Sequence, residues 1–236
     1  MKRVSIVTVN FNHSHVTDEL LNSIRENNSY SNIEIIIVDN GSSENLVPSW
    51  MNKYPDANFI RSNINLGFAG GNNLGLTAAT GDYLFFVNND TAFTPGLINT
   101  LINTIEANPI FGAISPMLLY YDQPTMLQYA GYTPMYYFTA RNECIGQVET
   151  DYGQNDQLAG KTGFAHRAAM VVTRQAFEKA GPMSESFFLY YEELDWADCI
   201  RRNGFAIWVN MKATIYQKES VSVGKKSSFK EYYQRN

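Results

Sequence analysis

Apolar positions along this chain fall into short, dense runs separated by amphipathic stretches. Val4 to Val9 is a β-branched run of the kind a strand buried on both faces requires. From Thr17 the spacing turns helical, with Leu20, Leu21 and Ile24 on one side and Asp18 and Glu19 as first-turn acids that favour the helix dipole. Ile33 to Val38 is a second buried strand, ended by Asp39-Asn40-Gly41-Ser42. A helix is predicted over 43–53, a short strand around 58–60, and a helix near 72–79, after the glycine-rich segment 65–73. Tyr83 to Val87 reads as another strand, stopped at Asn88-Asn89-Asp90. Pro95 fits the first turn of a helix whose Leu97, Leu101, Ile102 and Ile105 recur at helical spacing.

Past residue 111 the rhythm is lost. Residues 112–160 are rich in Tyr, Met, Pro and Gly and predict hairpins or long loops, with Gly131 and Pro134 as punctuation. Regular structure resumes with a strand at 168–172, a helix over 192–203 and a strand at 205–209. Strand–helix alternation implies an α/β fold, a mostly parallel sheet with right-handed crossovers and helices on both faces. No repeat, low-complexity tract or composition break divides the chain, so one domain is expected over 1–217, with halves 1–111 and 112–217.

Composition narrows the partners. The 236 residues are 44% hydrophobic, enough for a substantial core, and 18 basic against 23 acidic residues leave a net charge of -5. Such a surface repels a nucleic-acid backbone, so no nucleic-acid partner is expected. Two cysteines 55 residues apart make no disulfide framework and point to a reducing compartment, the cytoplasm. The first apolar run breaks at Asn10 without a cleavage-site pattern and reads as a strand rather than a signal peptide. No apolar stretch approaches the roughly 18 residues of a membrane span. The tail, 218–236, carries five basic residues against Glu219 and Glu231. Its plain reading is a solvated helix; the alternative is a patch that meets anionic lipid at the inner face of the membrane. It stops within an amphipathic pattern, as a trimmed chain would.

The chemistry-bearing residues gather at strand ends, where open α/β sheets bind ligands. Asp39 and Asp90 both follow strongly apolar strands, though a lone strand-end Asp is as often a turn cap. Hard divalent cations take oxygen ligands, and Mg²⁺ typically uses one or two carboxylates plus phosphate oxygens. Asn88-Asn89-Asp90 could therefore hold a cation on a diphosphate, while Asp39-Asn40-Gly41-Ser42 offers acceptors to a base or ribose edge. The segment Gly67-Phe-Ala-Gly-Gly71 is neither a dinucleotide fingerprint nor a Walker loop. It reads equally well as a phosphate-approaching loop before a helix or as plain packing around Phe68. Glu192, Glu193 and Asp195 open a helix after an aromatic stretch; they are either dipole caps or a source of general base. Helical spacing puts Glu192 with Asp195 and Trp196 on one face and Glu193 with Trp196 and Ala197 on another, without choosing between them. His13 and His15 read as surface residues, and His166 as a satisfied core or rim histidine.

Taken together, VSIVTVNFN, IIIVDNGS, NLGFAGGNN, YLFFVNNDT, GPMSESFFLYYEELDWADCIRRNGF and YQKESVSVGKKSS resemble the family 2 glycosyltransferases of GT-A fold, in particular their bacterial rhamnosyltransferase-like branch. The resemblance runs over nearly the whole chain. It implies an inverting transfer from a UDP- or dTDP-sugar, with Mg²⁺ or Mn²⁺, to a saccharide or lipid-linked saccharide acceptor in cell-surface polysaccharide assembly. It is compatible with a homodimer. On this resemblance 1–111 is the nucleotide-sugar half and 112–217 the acceptor side. Donor contacts would come from Thr8, Asn10, Asp39, Asn40, Gly67, Phe68, Asn73, Asn88, Asn89 and Asp90. Asp39 would meet the base, Asp90 the metal and diphosphate, and Glu193 would be the general base supported by Glu192 and Asp195. Two positions depart from the pattern. Gln217 stands where relatives often carry a metal-contacting His and would offer a carbonyl oxygen instead. Arg167 stands where a Gly usually precedes Ala-Ala-Met, and would partly fill the sugar pocket. A nucleotidyltransferase on a similar sheet and a non-catalytic nucleotide-sugar binder are the competing readings.

Overall fold

A computed structural model describes residues 1–136, 138–139, 141–155 and 160–218; the basic tail beyond Lys218 lies outside them. The first four long strands are β1 (Val4–Asn10), β2 (Ile33–Asn40), β3 (Ala57–Ser62) and β4 (Tyr83–Val87), joined through helices α1 (Ser14–Asn27), α2 (Val47–Lys53) and α3 (Gly67–Leu76). β5 (Thr91–Phe93) and α4 (Leu97–Glu106) complete the first half. The second half contributes β6 (Phe111–Tyr120), β7 (Gln123–Tyr129), β8 (Gly160–Lys161), β9 (Ala169–Thr173), α5 (Arg174–Ala180), α6 (Glu192–Arg202) and β10 (Ala206–Gln217).

The sheet runs β3-β2-β1-β4-β9-β6-β10-β5, with β7 hydrogen-bonded to β6 and β8 to β10. β3, β2, β1 and β4 are parallel, as their buried apolar runs predict, and β6 and β10 are parallel to each other. β9 lies antiparallel between β4 and β6. Alternate residues face opposite layers. Val4 and Ile6 pack with Leu20, Ile24, Leu101 and Ile105 of α1 and α4, while Val7 joins Ala69, Leu76, Trp196 and Ile200 of α3 and α6. A third cluster, Leu21, Ile37, Trp50 and Tyr54, seats α2.

Several boundaries differ from the sequence expectation. α1 begins at Ser14, so Asp18 and Glu19 lie beyond its first turn; Asp18 instead accepts bonds from Trp50 Nε1 (3.1 Å) and the Tyr54 hydroxyl (2.8 Å). α2 starts only at Val47, with Pro48 in its first turn. The glycine-rich segment is itself helical: α3 opens at Gly67 and contains Gly70, Gly71 and Gly75. The reason is steric, since an added Cβ would lie 2.9 Å from Val9 Cγ1 at Gly71 and 2.5 Å from Val7 Cγ1 at Gly75. These glycines let the helix approach the sheet closely. β5 and α5 had no expectation, and β10 runs eight residues past the predicted end at Val209. Among the described residues no helix is long and apolar enough to cross a membrane.

Candidate active site

Parallel register aligns the carboxyl ends of three strands. Asp39 on β2 is level with Asn10 on β1 and with Arg61 on β3. The β1–β4 register pairs Val7 with Phe86, and carried forward it sets Asn89 level with Asn10. A chain of hydrogen bonds follows this rim. Asn89 Nδ2 donates to Thr17 Oγ1 (3.1 Å), Thr17 Oγ1 donates to Asn10 Oδ1 (3.0 Å), and Asn10 Nδ2 donates to Asp39 Oδ1 (3.3 Å) and Ser42 Oγ (3.1 Å). Asp39, 1% exposed, is ion-paired to Arg61, whose Nη2 also donates to the Ser42 carbonyl at 2.8 Å. Thr8 is wholly buried and its hydroxyl has no partner.

Other residues expected at the donor hold the protein to itself. Asn40 Nδ2 donates to Asn65 Oδ1 and the Gly67 carbonyl, both at 3.0 Å, and its Oδ1 accepts from Leu66 N–H. Asn73 Nδ2 donates to the Met183 carbonyl and Glu185 Oε1, both at 2.9 Å, while its Oδ1 accepts the Met183 N–H. Gly67 has φ 74°, and a Cβ there would lie 2.4 Å from the Phe188 carbonyl, which the next residue, Phe68, binds through its N–H at 3.0 Å. So Asn73, Gly67 and Phe68 latch the 183–191 segment onto α3. Their geometry here is that of a latch rather than of a phosphate cradle.

That segment delivers the acids. Tyr190 and Tyr191 take left-handed backbone angles, φ 72° and 70°, a strained conformation costing on the order of 1–3 kcal/mol each. The turn carries Glu192 into the interior, where it is 0% exposed and neither carboxylate oxygen has a hydrogen-bond partner. Glu193 is half-buried with Oε2 unpartnered, whereas Asp195 faces solvent. Burial, and then the Glu193 charge, raise the Glu192 pKa above the usual carboxylate range; Arg167 acts against them. Arg167 Nη1 is 3.7 Å from Glu192 Oε1, an ion pair too long for a hydrogen bond. Its guanidinium lies over the Tyr190 ring at 4.5 Å and near the Phe68 ring at 5.8 Å.

The second acid of the rim has a partner from the far end of the chain. β5 pairs antiparallel with β10, setting Gln217 opposite Thr91, next to Asp90. Gln217 Nε2 donates to Asp90 Oδ1 at 3.2 Å, and the buried Gln217 Oε1 has no partner. Asp90 is 7% exposed; burial pushes its pKa up to about 6, against the Gln217 bond and the charges of Arg167 and Lys218. Asn88 is bonded through its backbone to Ala168 (2.9 Å). A buried carboxylate under this strain, beside an orphaned amide oxygen, has the hard oxygen chemistry of a cation site. Among the described residues no group of three or more His, Cys, Asp or Glu gathers around it, so a ligand's oxygens would complete any coordination shell.

Sequence reasoning missed Arg61 and the role of Thr17. Arg61 could have been found as the one cation in a strand adjacent to the Asp39 strand; Thr17 was read only as a helix opener. His166 is the satisfied rim histidine expected. Its Nδ1 accepts the Ala168 N–H at 3.2 Å, and burial with the Arg167 charge holds its pKa down near about 3.

The model of glycosyl transferase family 2 matches residues 5–181, three quarters of the chain and every element from β1 to α5. The chain belongs to this family. Among its relatives, the low-salt glycan biosynthesis hexosyltransferase Agl10 of Haloferax volcanii is 29% identical over 194 residues, 76% of this chain and 58% of that protein. The N-acetylglucosaminyl-diphospho-decaprenol L-rhamnosyltransferase of Mycobacterium tuberculosis is 22% identical over 209 residues, 79% of this chain and 67% of that protein. The chain thus spans little more than half to two thirds of these family members. A mannosyltransferase from Pyrobaculum calidifontis, solved with GDP-Man and Mn²⁺, superposes with a TM-score of 0.70 at 18% identity, covering 99% of this chain and 61% of that one. The fold is the GT-A type.

Proposed function

We propose that this family 2 chain is an inverting glycosyltransferase that moves a sugar from a nucleoside diphosphate to an acceptor hydroxyl. The observation that carries this reading is the adjacent carboxylates Glu192 and Glu193, with both Glu192 oxygens and Glu193 Oε2 lacking a hydrogen-bond partner, which follow the segment latched to α3. A carboxylate without a hydrogen-bond partner is free to take a proton from a bound hydroxyl. Asp39, ion-paired to Arg61, would bind the nucleoside with Asn10. Asp90 and the free Gln217 Oε1 would hold a divalent cation, Mg²⁺ or Mn²⁺. Such an ion, when bound, neutralises charge on a diphosphate leaving group.

In the proposed step Glu193 accepts the proton of the acceptor hydroxyl as its oxygen forms a bond to the anomeric carbon. The carbon–oxygen bond to the diphosphate breaks on the opposite face, and the diphosphate leaves with the electron pair. Binding both substrates supplies proximity and orientation. The rhamnosyltransferase above and a Campylobacter jejuni glucosyltransferase are both named for polyprenyl-diphosphate substrates, which makes a lipid-linked saccharide the acceptor class to try first. The test is nucleotide release from a panel of UDP-, dTDP- and GDP-sugars, with and without Mn²⁺. Glu193→Gln should lose transfer by about 10²–10⁴-fold while keeping donor affinity. Tight nucleotide binding without release from any donor would make the chain a binder rather than an enzyme.

A further inference from the structure

Beside the paired glutamates stands a cation, Arg167, whose own hydrogen-bonding capacity is partly unfilled. Arg167 Nη1 is sealed from solvent and has no hydrogen-bond partner, just as both Glu192 oxygens and Glu193 Oε2 have none. Two neighbouring carboxylates repel each other, and burial together with the Glu193 charge favours the protonated form of Glu192. A protonated base cannot take a proton. Arg167 is placed to counter both effects, because it is 3.7 Å from Glu192 and its strongest charge interactions are with Glu193 and Glu192. It cannot drift, since Tyr190 lies against its guanidinium at 4.5 Å, with Phe68 at 5.8 Å.

We propose that Arg167 is the positioning residue of the base: its guanidinium beside Glu192 offsets the repulsion between the two glutamates and so leaves Glu193 open to the acceptor's proton. This rests on the glycosyltransferase reading above. Among the described residues, charged and titratable groups around the pair come from several elements. They are Arg167 and neutral His166 before β9, Tyr190 on the approach to α6, Tyr132 after β7, Asp90 after β4, and exposed Asp195 on α6 itself. Of these only Arg167 carries positive charge. A lysine at the same place keeps the charge but loses the flat fork that stacks on Tyr190.

The experiment compares wild type with R167M, R167Q and R167K. Carboxyl-¹³C-labelled glutamate is titrated by NMR in the absence of donor, with E192Q and E193Q assigning the two resonances. R167M and R167Q should move at least one of the two midpoints up by about one pH unit or more, and R167K by much less. The acid limb of the transfer rate should move by the same amount. Unchanged midpoints in whichever neutral variant retains the wild-type near-ultraviolet circular dichroism would overturn the proposal. So would a variant that is slower at every pH with its profile unmoved, which is the mark of a merely structural arginine. The NMR arm needs no turnover, so a failure of the glycosyltransferase reading is seen separately, as absence of transfer by wild type.

Discussion

Arg61 belongs to no motif, yet Asp39 depends on it. A carboxylate buried to 1% exposure needs a cation or several donors, and Arg61 and Asn10 are what the fold supplies. Arg61→Ala should cost about 1–3 kcal/mol in urea denaturation, because it leaves a buried acceptor poorly matched. Nucleotide affinity measured by calorimetry should fall with it, since Arg61 no longer holds the Asp39 carboxylate in place for a base. A substitution that weakens stability and leaves affinity intact would remove Asp39 from the nucleoside site. At this scale the acids themselves were legible, because each ends an apolar run. Arg61 was not, since it reaches Asp39 across strand register that no local spacing encodes, and Gln217 was set beside Asp90 only through the family resemblance.

Helix α3 shows how an element can be misread from composition. Glycine is the poorest helix former after proline, so Gly67 to Gly75 looks like a loop before a helix. What decides is the approach of the helix to the sheet, because Val7 and Val9 leave no room for a Cβ at Gly75 and Gly71. Gly75→Ala should therefore destabilise by about 1–3 kcal/mol through overpacking, even though alanine favours helices. The midpoint of urea unfolding checks this; a more stable variant would mean that Val7 yields easily. The strands β1 to β4 and helix α4 were readable because their burial is one-dimensional in the sequence. β5 and α5, three and seven residues long, lie below the length at which periodicity carries information.

At the scale of the molecule, the sheet has polar chemistry at both ends. Opposite the candidate site, Glu34 accepts from Ser5 Oγ (2.5 Å) and Thr80 N–H (2.7 Å) and pairs with Arg3 at 3.2 Å. Burial alone would raise its pKa, but these bonds and the Arg3 charge outweigh it and hold the carboxyl below its usual value. The sign follows from linkage: the stabilisation is complete above the unfolded value of about 4.3 and is lost as pH falls through the lower folded value. Glu34→Gln should lower stability at neutral pH by about 1–3 kcal/mol. It should also flatten the fall in unfolding free energy below about pH 4, which acid-titrated melts would show; an equally steep fall would assign that loss to other groups. The single α/β domain was legible as a whole, because alternation of strand and helix needs no long-range information. The interleaving of its halves was not. β9 and β10 come late in the chain, yet one covers the free edge of β4 and the other is hydrogen-bonded to β5. This has a consequence during synthesis. As the chain leaves the ribosome, β4 waits with an unpaired edge until Ala169–Thr173 emerges, and β5 waits until the strand ending at Gln217 does. The nascent first half is thus an open template for pairing with other chains.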